Sequence, residues 1–117
     1  MKIKLAVIGS RSFNDYDLLK KSILAHYDIK TIECIVSGGA IGADSFAEKF
    51  AKEFKIPTKI YLPNWELYGR AAGFRRNQEI INKATEVMAF WNGTSRGTKN
   101  SMDLADDQDK PVIIVYF

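Results

Sequence analysis

Three short turns limit most strongly which folds this chain can adopt. Each lies between an apolar run and a helical pattern. They occupy residues 8–11, 37–44 and 91–98 and are rich in glycine and other small residues. Repeated alternation of strand and helix predicts a parallel sheet covered by helices. Because the carboxyl ends of parallel strands meet at one edge, the turns should lie together where such sheets bind ligands.

Apolar periodicity divides the chain into five strands and four helices. Strands are expected at residues 3–9, 32–36, 57–63, 86–91 and 111–117, and helices at residues 17–27, 46–54, 71–84 and 95–107. Residues 64–70 are expected to be a connection. The prediction is an α/β fold, a Rossmann-like three-layer sandwich with a mainly parallel five-stranded sheet, in one domain spanning residues 1–117.

Composition narrows the classes of partner. Seventeen basic and fourteen acidic residues leave a net charge of +3 with the cations scattered, which argues against nucleic acid and fits anionic small molecules. A lone Cys34 and a lone His26 exclude a disulfide framework and a Cys/His metal site within one chain, so no metal and no cofactor are expected. The first apolar run is too short to span a membrane, which favours a cytoplasmic protein without a membrane partner.

The glycine-rich turns predict phosphate binding, because exposed backbone N–H groups and helix N-termini attract anions. Residues 37–42 approach the G-x-G-x-x-G pattern but begin with Ser37, and no acidic residue closes the third strand, which disfavours an NAD dehydrogenase. No Walker motif occurs, so conventional ATP or GTP hydrolysis is disfavoured. The alternative interpretation is that the glycines only form tight turns and that Asp44 only begins a helix.

Polar and aromatic residues near the middle helix are further candidates. Asn77 shares a helical stripe with Phe74 and Ile81, so it should face inward and either hold a loop or contact a ligand. Arg76 is suited to bidentate phosphate binding. Trp65 and Tyr68 precede that helix and are suited either to stacking on a base or to packing beneath the loop.

Taken in order, these motifs resemble the YspA/cpYpsA-related SLOG family. The matching segments are residues 9–13, 36–44, 68–73, 76–77 and 90–98. The resemblance implies a nucleotide or a nucleotide-derived signal, such as an ADP-ribose-type or cyclic molecule, at the strand edge. It implies a pocket formed by Gly9, Ser10, Arg11, Gly38, Gly39, Asp44, Arg76, Asn77, Gly93, Ser95, Gly97 and Thr98. The remaining candidate ligand-binding residues are Ser37, Gly42, Trp65 and Tyr68.

One departure from the wider superfamily bears on catalysis. Its phosphoribohydrolases follow the pattern P-G-G-x-G-T-x-x-E, whereas Gly97-Thr98 is followed here by Lys99, Asn100 and Ser101. Without that acid, the cation-like sugar formed in N-glycosidic cleavage loses a stabilising charge. We therefore expect a sensor or sequestering module with no catalytic residue, in bacterial or phage conflict, and by resemblance a homodimer or higher homo-oligomer. The alternatives are a phosphoribohydrolase using Asp103 or Asp44 as its acid and a DprA-like module that binds single-stranded DNA.

Overall fold

The computed structural model describes residues 2–117, which form one five-stranded sheet with helices on both faces. The strands are β1 (Ile3–Gly9), β2 (Ile32–Ser37), β3 (Thr58–Ile60), β4 (Glu86–Trp91) and β5 (Val112–Tyr116). The helices are α1 (Tyr16–His26), α2 (Ala43–Glu53), α3 (Trp65–Tyr68), α4 (Ala72–Lys83) and α5 (Arg96–Asp107). All strand pairs are parallel, in the order β3-β2-β1-β4-β5. The predicted Rossmann-like α/β fold is confirmed.

Alternating side chains of the strands divide the core into two layers. Leu5 and Val7 of β1 pack with α1 and α2 on one face. Ala6 and Ile8 pack with α4 and α5 on the other face. Cys34 is buried within β2, as its place in an apolar run predicts. Among the described residues, no helix has both the length and the apolar character that a bilayer crossing requires.

Two predicted features of the segment before β4 are wrong. Residues 64–70, expected to be a connection, contain α3 and a 3-10 turn, and the Asn64 side chain accepts a hydrogen bond from the Leu67 N–H at 3.1 Å. Phe74 was expected on the buried stripe of α4 but is 55% exposed. Phe74 lines an open cleft instead of packing in the core, although Ala72 two residues before it is buried.

β1 lies at the centre of the sheet and pairs with β2 on one side and with β4 on the other. The chain therefore adds strands first on one side of β1 and then on the opposite side. The turns that follow β1 and β4 therefore separate at the carboxyl edge, which is where ligands bind in sheets of this topology. The Ser10 N–H donates to the Phe90 carbonyl at 3.1 Å and holds the base of this opening together.

Gly42 sets how closely the turn after β1 approaches the start of α2. Its φ is +80°, and a Cβ at this position would lie 2.5 Å from the Ser10 carbonyl oxygen and 2.6 Å from that of Arg11. Both obstacles are backbone atoms, which cannot rotate away. The tight contact of these two segments therefore requires glycine here.

We expect Gly42→Ala to destabilise the domain by roughly 2–5 kcal/mol, from the left-handed backbone conformation and the clash together. Gly97→Ala is the matched control, because a Cβ there meets no atom within 4 Å. That control should leave stability unchanged or raise it by up to about 1 kcal/mol. Urea unfolding of both variants measures the difference, and equal midpoints would contradict the prediction.

Candidate functional site

A cleft of about 300 Å³ opens at the carboxyl ends of β1 and β4. Its walls come from the turn after β1, the start of α2, the α3–α4 segment and the first turns of α5. The predicted ligand-binding residues that line it are Gly9, Arg11, Asp44, Trp65, Arg76, Asn77, Ser95, Gly97 and Thr98. Three turns that are far apart in sequence therefore meet around one cavity.

The other predicted residues do not line the cleft. Ser10, Ser37 and Gly38 are buried, and the Ser37 hydroxyl donates to the Asp44 carbonyl at 3.5 Å. The rest of this set lies elsewhere: Gly39 against Leu62, Gly42 against the β1 turn, Tyr68 beneath Arg75, and Gly93 on a separate shallow groove. A glycine-rich motif identifies a turn, but only some of its residues face the space that the turn encloses.

Several residues that line the cleft are not among the predicted ligand-binding residues: Ile8, Ala40, Arg70, Gly73, Phe74, Ile80 and Ser101. Four of these lie on or just before α4, at helical spacing from Arg76 and Asn77. The signal was present, since residues three and four apart on a helix share one face. Ser101 lies on the cleft wall formed by α5 and is 3% exposed.

Arg76 is the central cation of the cleft. Its Nη1 donates to the Gly38 carbonyl at 2.6 Å and its Nε donates to the Asn77 side-chain oxygen at 3.2 Å. Burial lowers the pKa of this guanidinium and the Asp44 charge opposes that effect, but an arginine stays protonated in proteins. Its Nη2 has no acceptor among residues 2–117. The side chain is therefore held in place with donors to spare.

Asn77 supports Arg76 and also ties α4 to α5. Besides accepting from Arg76, its amide nitrogen donates to the Asn100 side-chain oxygen at 3.3 Å and to the Gly97 carbonyl at 3.5 Å. Of the two roles that the sequence left open, the structure shows this carboxamide holding a neighbouring segment. It positions the cation and the first turn of α5 on the same side of the cleft.

The N-terminus of α5 presents backbone donors to the cleft. The Ser95 side chain forms no capping bond to this helix and instead contacts the Thr98 hydroxyl at 3.1 Å. The Asn92 side chain caps the preceding turn by accepting from the Ser95 N–H at 2.9 Å. The first-turn N–H groups of α5, including those of Gly97 and Thr98, therefore lack side-chain acceptors, and they carry the positive end of the helix dipole.

Asp44 is the one carboxylate among the described residues that line the cleft. It is 8% exposed, and its Oδ2 accepts from the Ala40 N–H at 3.1 Å. Burial raises its pKa to about 6, against the lowering effects of the Ala40 bond and the Arg76 charge, while Glu48 adds a smaller rise. Asp103, the alternative acid, is exposed, pairs with Lys99 at 2.7 Å and lies outside the cleft.

Exposed arginines and aromatic rings form the rim. Arg11 and Arg70 line the opening, together with Trp65, which is 56% exposed, and Phe74. Just outside it, the Arg75 guanidinium lies 4.3 Å from the centre of the Tyr68 ring. Three arginines face one carboxylate within the cleft, so it is locally positive although the chain is almost neutral.

Comparison with known proteins agrees with the resemblance. The YspA, cpYpsA-related SLOG family matches residues 3–68. The Gene 61 protein of Mycobacterium phage D29 is 35% identical over 85 residues, which are 68% of each chain. The chain therefore belongs to the YspA, cpYpsA-related SLOG family.

Solved structures share the fold. DNA processing protein A (DprA) from Streptococcus pneumoniae matches 97% of this chain with a TM-score of 0.78 and 19% identity. The protein of that name from Helicobacter pylori matches 96% with a TM-score of 0.72 and 20% identity. This chain spans 50% and 64% of their respective lengths. At these identities the likeness establishes the fold.

The expectation that argued against nucleic acid is wrong. The Helicobacter pylori protein, which has this fold, binds single-stranded DNA. The expectation relied on a net charge of +3 over the whole chain. Recognition depends on local charge instead, and the arginines at the cleft and its rim are concentrated where the sequence alone suggested scatter.

We expect Asp44→Asn to change how stability depends on pH. Because the pKa of Asp44 is about 6 in the folded protein and 3.8 when the side chain is free, the folded state binds this proton more tightly. The resulting stabilisation is complete below about pH 4 and is lost as pH rises through about 6, by roughly 3 kcal/mol. The variant lacks this titration, so its free energy of unfolding should rise relative to wild type over that interval.

Urea unfolding in small pH steps measures this difference, with Asp103→Asn as the exposed control. A constant offset between Asp44→Asn and wild type across the same pH range would contradict the pKa.

Proposed function

We propose that this SLOG-family protein binds a phosphorylated nucleotide unit in the cleft and holds it without cleaving it. The observation that carries the proposal is Arg76, which is anchored at Gly38 and Asn77 with its Nη2 unpaired, beside the uncapped first turn of α5. A fixed guanidinium with free donors next to a helix N-terminus matches the charge and geometry of a phosphate.

The other end of the ligand would contact the aromatic rim. Trp65 and Phe74 expose more than half of their surfaces at the cleft, and a nucleobase stacked there would cover apolar area that otherwise faces water. Arg70 can contribute a second charge or stack on the base itself. Phosphate and ring contacts at opposite ends are what a nucleotide requires.

The residues of α5 at the cleft favour binding of the nucleotide without cleavage. Ser101 stands third after Thr98, where the phosphoribohydrolase pattern has its acid, and Asp103 lies outside the cleft. Without that carboxylate the transition state for N-glycosidic cleavage lacks its main stabilising charge on this wall. A sensor or a sequestering protein that acts in conflict between phage and host follows from binding alone, and the similarity to a Mycobacterium phage protein supports that setting.

A single strand of DNA is the second candidate, because it presents the same phosphate and base. Tyr68 and Arg75 continue the rim away from the cleft as a stacked pair, which would suit a neighbouring nucleotide of a strand. The shared fold with a protein that binds single-stranded DNA adds support. Arg75 should therefore contribute to the binding of a strand but not to the binding of a free nucleotide.

We expect Arg76→Ala to weaken binding of AMP at least tenfold, because each charged hydrogen bond to the phosphate contributes about 1.5–3 kcal/mol. Isothermal titration with AMP and with a short oligothymidylate measures both ligands. Arg75→Ala is the matched control on the same helix: it should leave AMP affinity unchanged and weaken only the strand. The strand's affinity should also fall steeply as salt rises from about 50 to about 200 mM.

Equal AMP affinity in wild type and Arg76→Ala would contradict the proposal, as would the absence of any binding by either ligand. Mass spectrometry of the recovered ligand tests holding against cleavage. Intact AMP agrees with binding alone, whereas released adenine would assign the phosphoribohydrolase alternative.

Gly97→Leu offers an independent test that keeps every polar group in place. A side chain at this position meets no protein atom within 4 Å at its Cβ and lines the cleft, so it should occupy ligand space without disturbing the core. We expect AMP binding to be lost while the melting temperature stays within a few degrees of wild type. Undiminished binding by a folded Gly97→Leu protein would place the ligand elsewhere.

A further inference from the structure

Phosphate binding leaves the Asp44 carboxylate unexplained. It lines the cleft and lies beside Gly38, as Arg76 does: a Cβ on Gly38 would be 2.6 Å from Arg76 Nη1 and 3.0 Å from Asp44 Oδ2. A negative charge so close to a phosphate-binding cation weakens binding of phosphate. Some other part of the ligand must therefore face it.

Helix formation does not account for this residue either. Asp44 is the second residue of α2, where a carboxylate favours the helix dipole, but an exposed side chain provides that benefit equally well. Here the side chain is almost fully buried, at a cost visible in a pKa raised to about 6. A group kept in an environment that disfavours its charge is a candidate for ligand contact.

One oxygen of this carboxylate is free. Oδ2 accepts from the Ala40 N–H at 3.1 Å. A backbone hydrogen bond from Gly38 has a smaller effect that also favours the charged carboxylate. The side-chain hydrogen bonds and ion pairs among residues 2–117 give Oδ1 no partner, and this atom keeps contact with solvent. An oxygen of a cleft-lining carboxylate that has only water as its partner can exchange that water for a donor of a ligand. That donor must be neutral or positive and must lie near the phosphate.

We infer that Asp44 accepts a hydrogen bond from a ribose hydroxyl of the bound nucleotide, which makes the cleft selective for ribonucleotides. The inference rests on the proposed function. The sugar connects phosphate and base, so with the phosphate at Arg76 and the base at the rim its hydroxyls come nearest to the phosphate-side wall, to which Asp44 belongs. A carboxylate is a strong acceptor for a hydroxyl, at roughly twice the strength of a neutral pair.

The same hydroxyls occur in a free ribonucleotide and in an RNA strand. A deoxyribose strand lacks the 2′ hydroxyl and would bind through its phosphates and bases, with less contribution from Asp44. Titration with matched ribo- and deoxyribo-oligoadenylates, compared with AMP, shows whether the hydroxyl that Asp44 contacts belongs to a strand or to a free nucleotide.

Titration of AMP, 2′-deoxy-AMP and 3′-deoxy-AMP into wild type and Asp44→Asn tests the inference above about pH 7, where the carboxylate is charged. Wild type should bind AMP about tenfold more tightly than at least one deoxy analogue. In Asp44→Asn that ratio should fall to within about twofold. Asp103→Asn, the same substitution outside the cleft, should keep the wild-type ratio.

Inorganic phosphate separates a ligand contact from a structural role. Removing the carboxylate should leave phosphate affinity unchanged or raise it, because a repulsive charge is lost. Equal binding of AMP and both deoxy analogues by wild type would overturn the ribose contact, and so would a preference that persists in Asp44→Asn or an equal loss of phosphate and AMP binding in that variant. If wild type binds no nucleotide, or Arg76→Ala binds as well as wild type, the proposed function fails and the inference with it.

Discussion

The position of β1 between two strands from different parts of the chain is the constraint on which the rest of the site depends. β1 pairs with β2, which follows it directly, and with β4, which comes more than seventy residues later. Because the connection after β1 leads to β2 and the connection after β4 leads to β5, on the opposite side of the sheet, the turns that begin these two connections diverge at the strand ends. The space that remains is the cleft, and α4 and α5 close it from above.

The hydrogen bonds of the cleft connect the segments on its two sides. Arg76 reaches from α4 to the Gly38 carbonyl at the end of β2, and Asn77 reaches from the same helix to α5. Two adjacent residues therefore connect the segments that the sheet topology holds apart. Their hydrogen bonds hold the guanidinium in one orientation, so an anion bound there as proposed would cost little side-chain freedom.

Periodicity and turn chemistry predicted the succession of strands and helices along the chain and the sheet edge where the cleft lies, because both depend on local pattern. The bounds of β1 and β4 agree with the expected residues 3–9 and 86–91. Phe74 shows the limit of this reasoning: its spacing is that of a core residue, yet its side chain is 55% exposed and lines the cleft. Whether an apolar stripe meets a core or a cavity depends on helix placement, which a single sequence does not specify. The resemblance to the SLOG family identified the turns but not which of their residues face the cavity.

Charge gives a second example, because the net charge of a chain does not show where its charged side chains lie. A nearly neutral composition does not reveal that Arg11, Arg70 and Arg76 share one opening with a single carboxylate. Nor does it reveal that Arg76 and Asp44 both lie beside Gly38 and yet are not among the ion pairs of residues 2–117. Had they paired, each would have neutralised the other and the cleft would attract little. Kept apart, they offer a donor for phosphate and an acceptor for a hydroxyl within one small cavity, and a ligand that satisfies both must carry the two groups close together, as the sugar and phosphate of a nucleotide do.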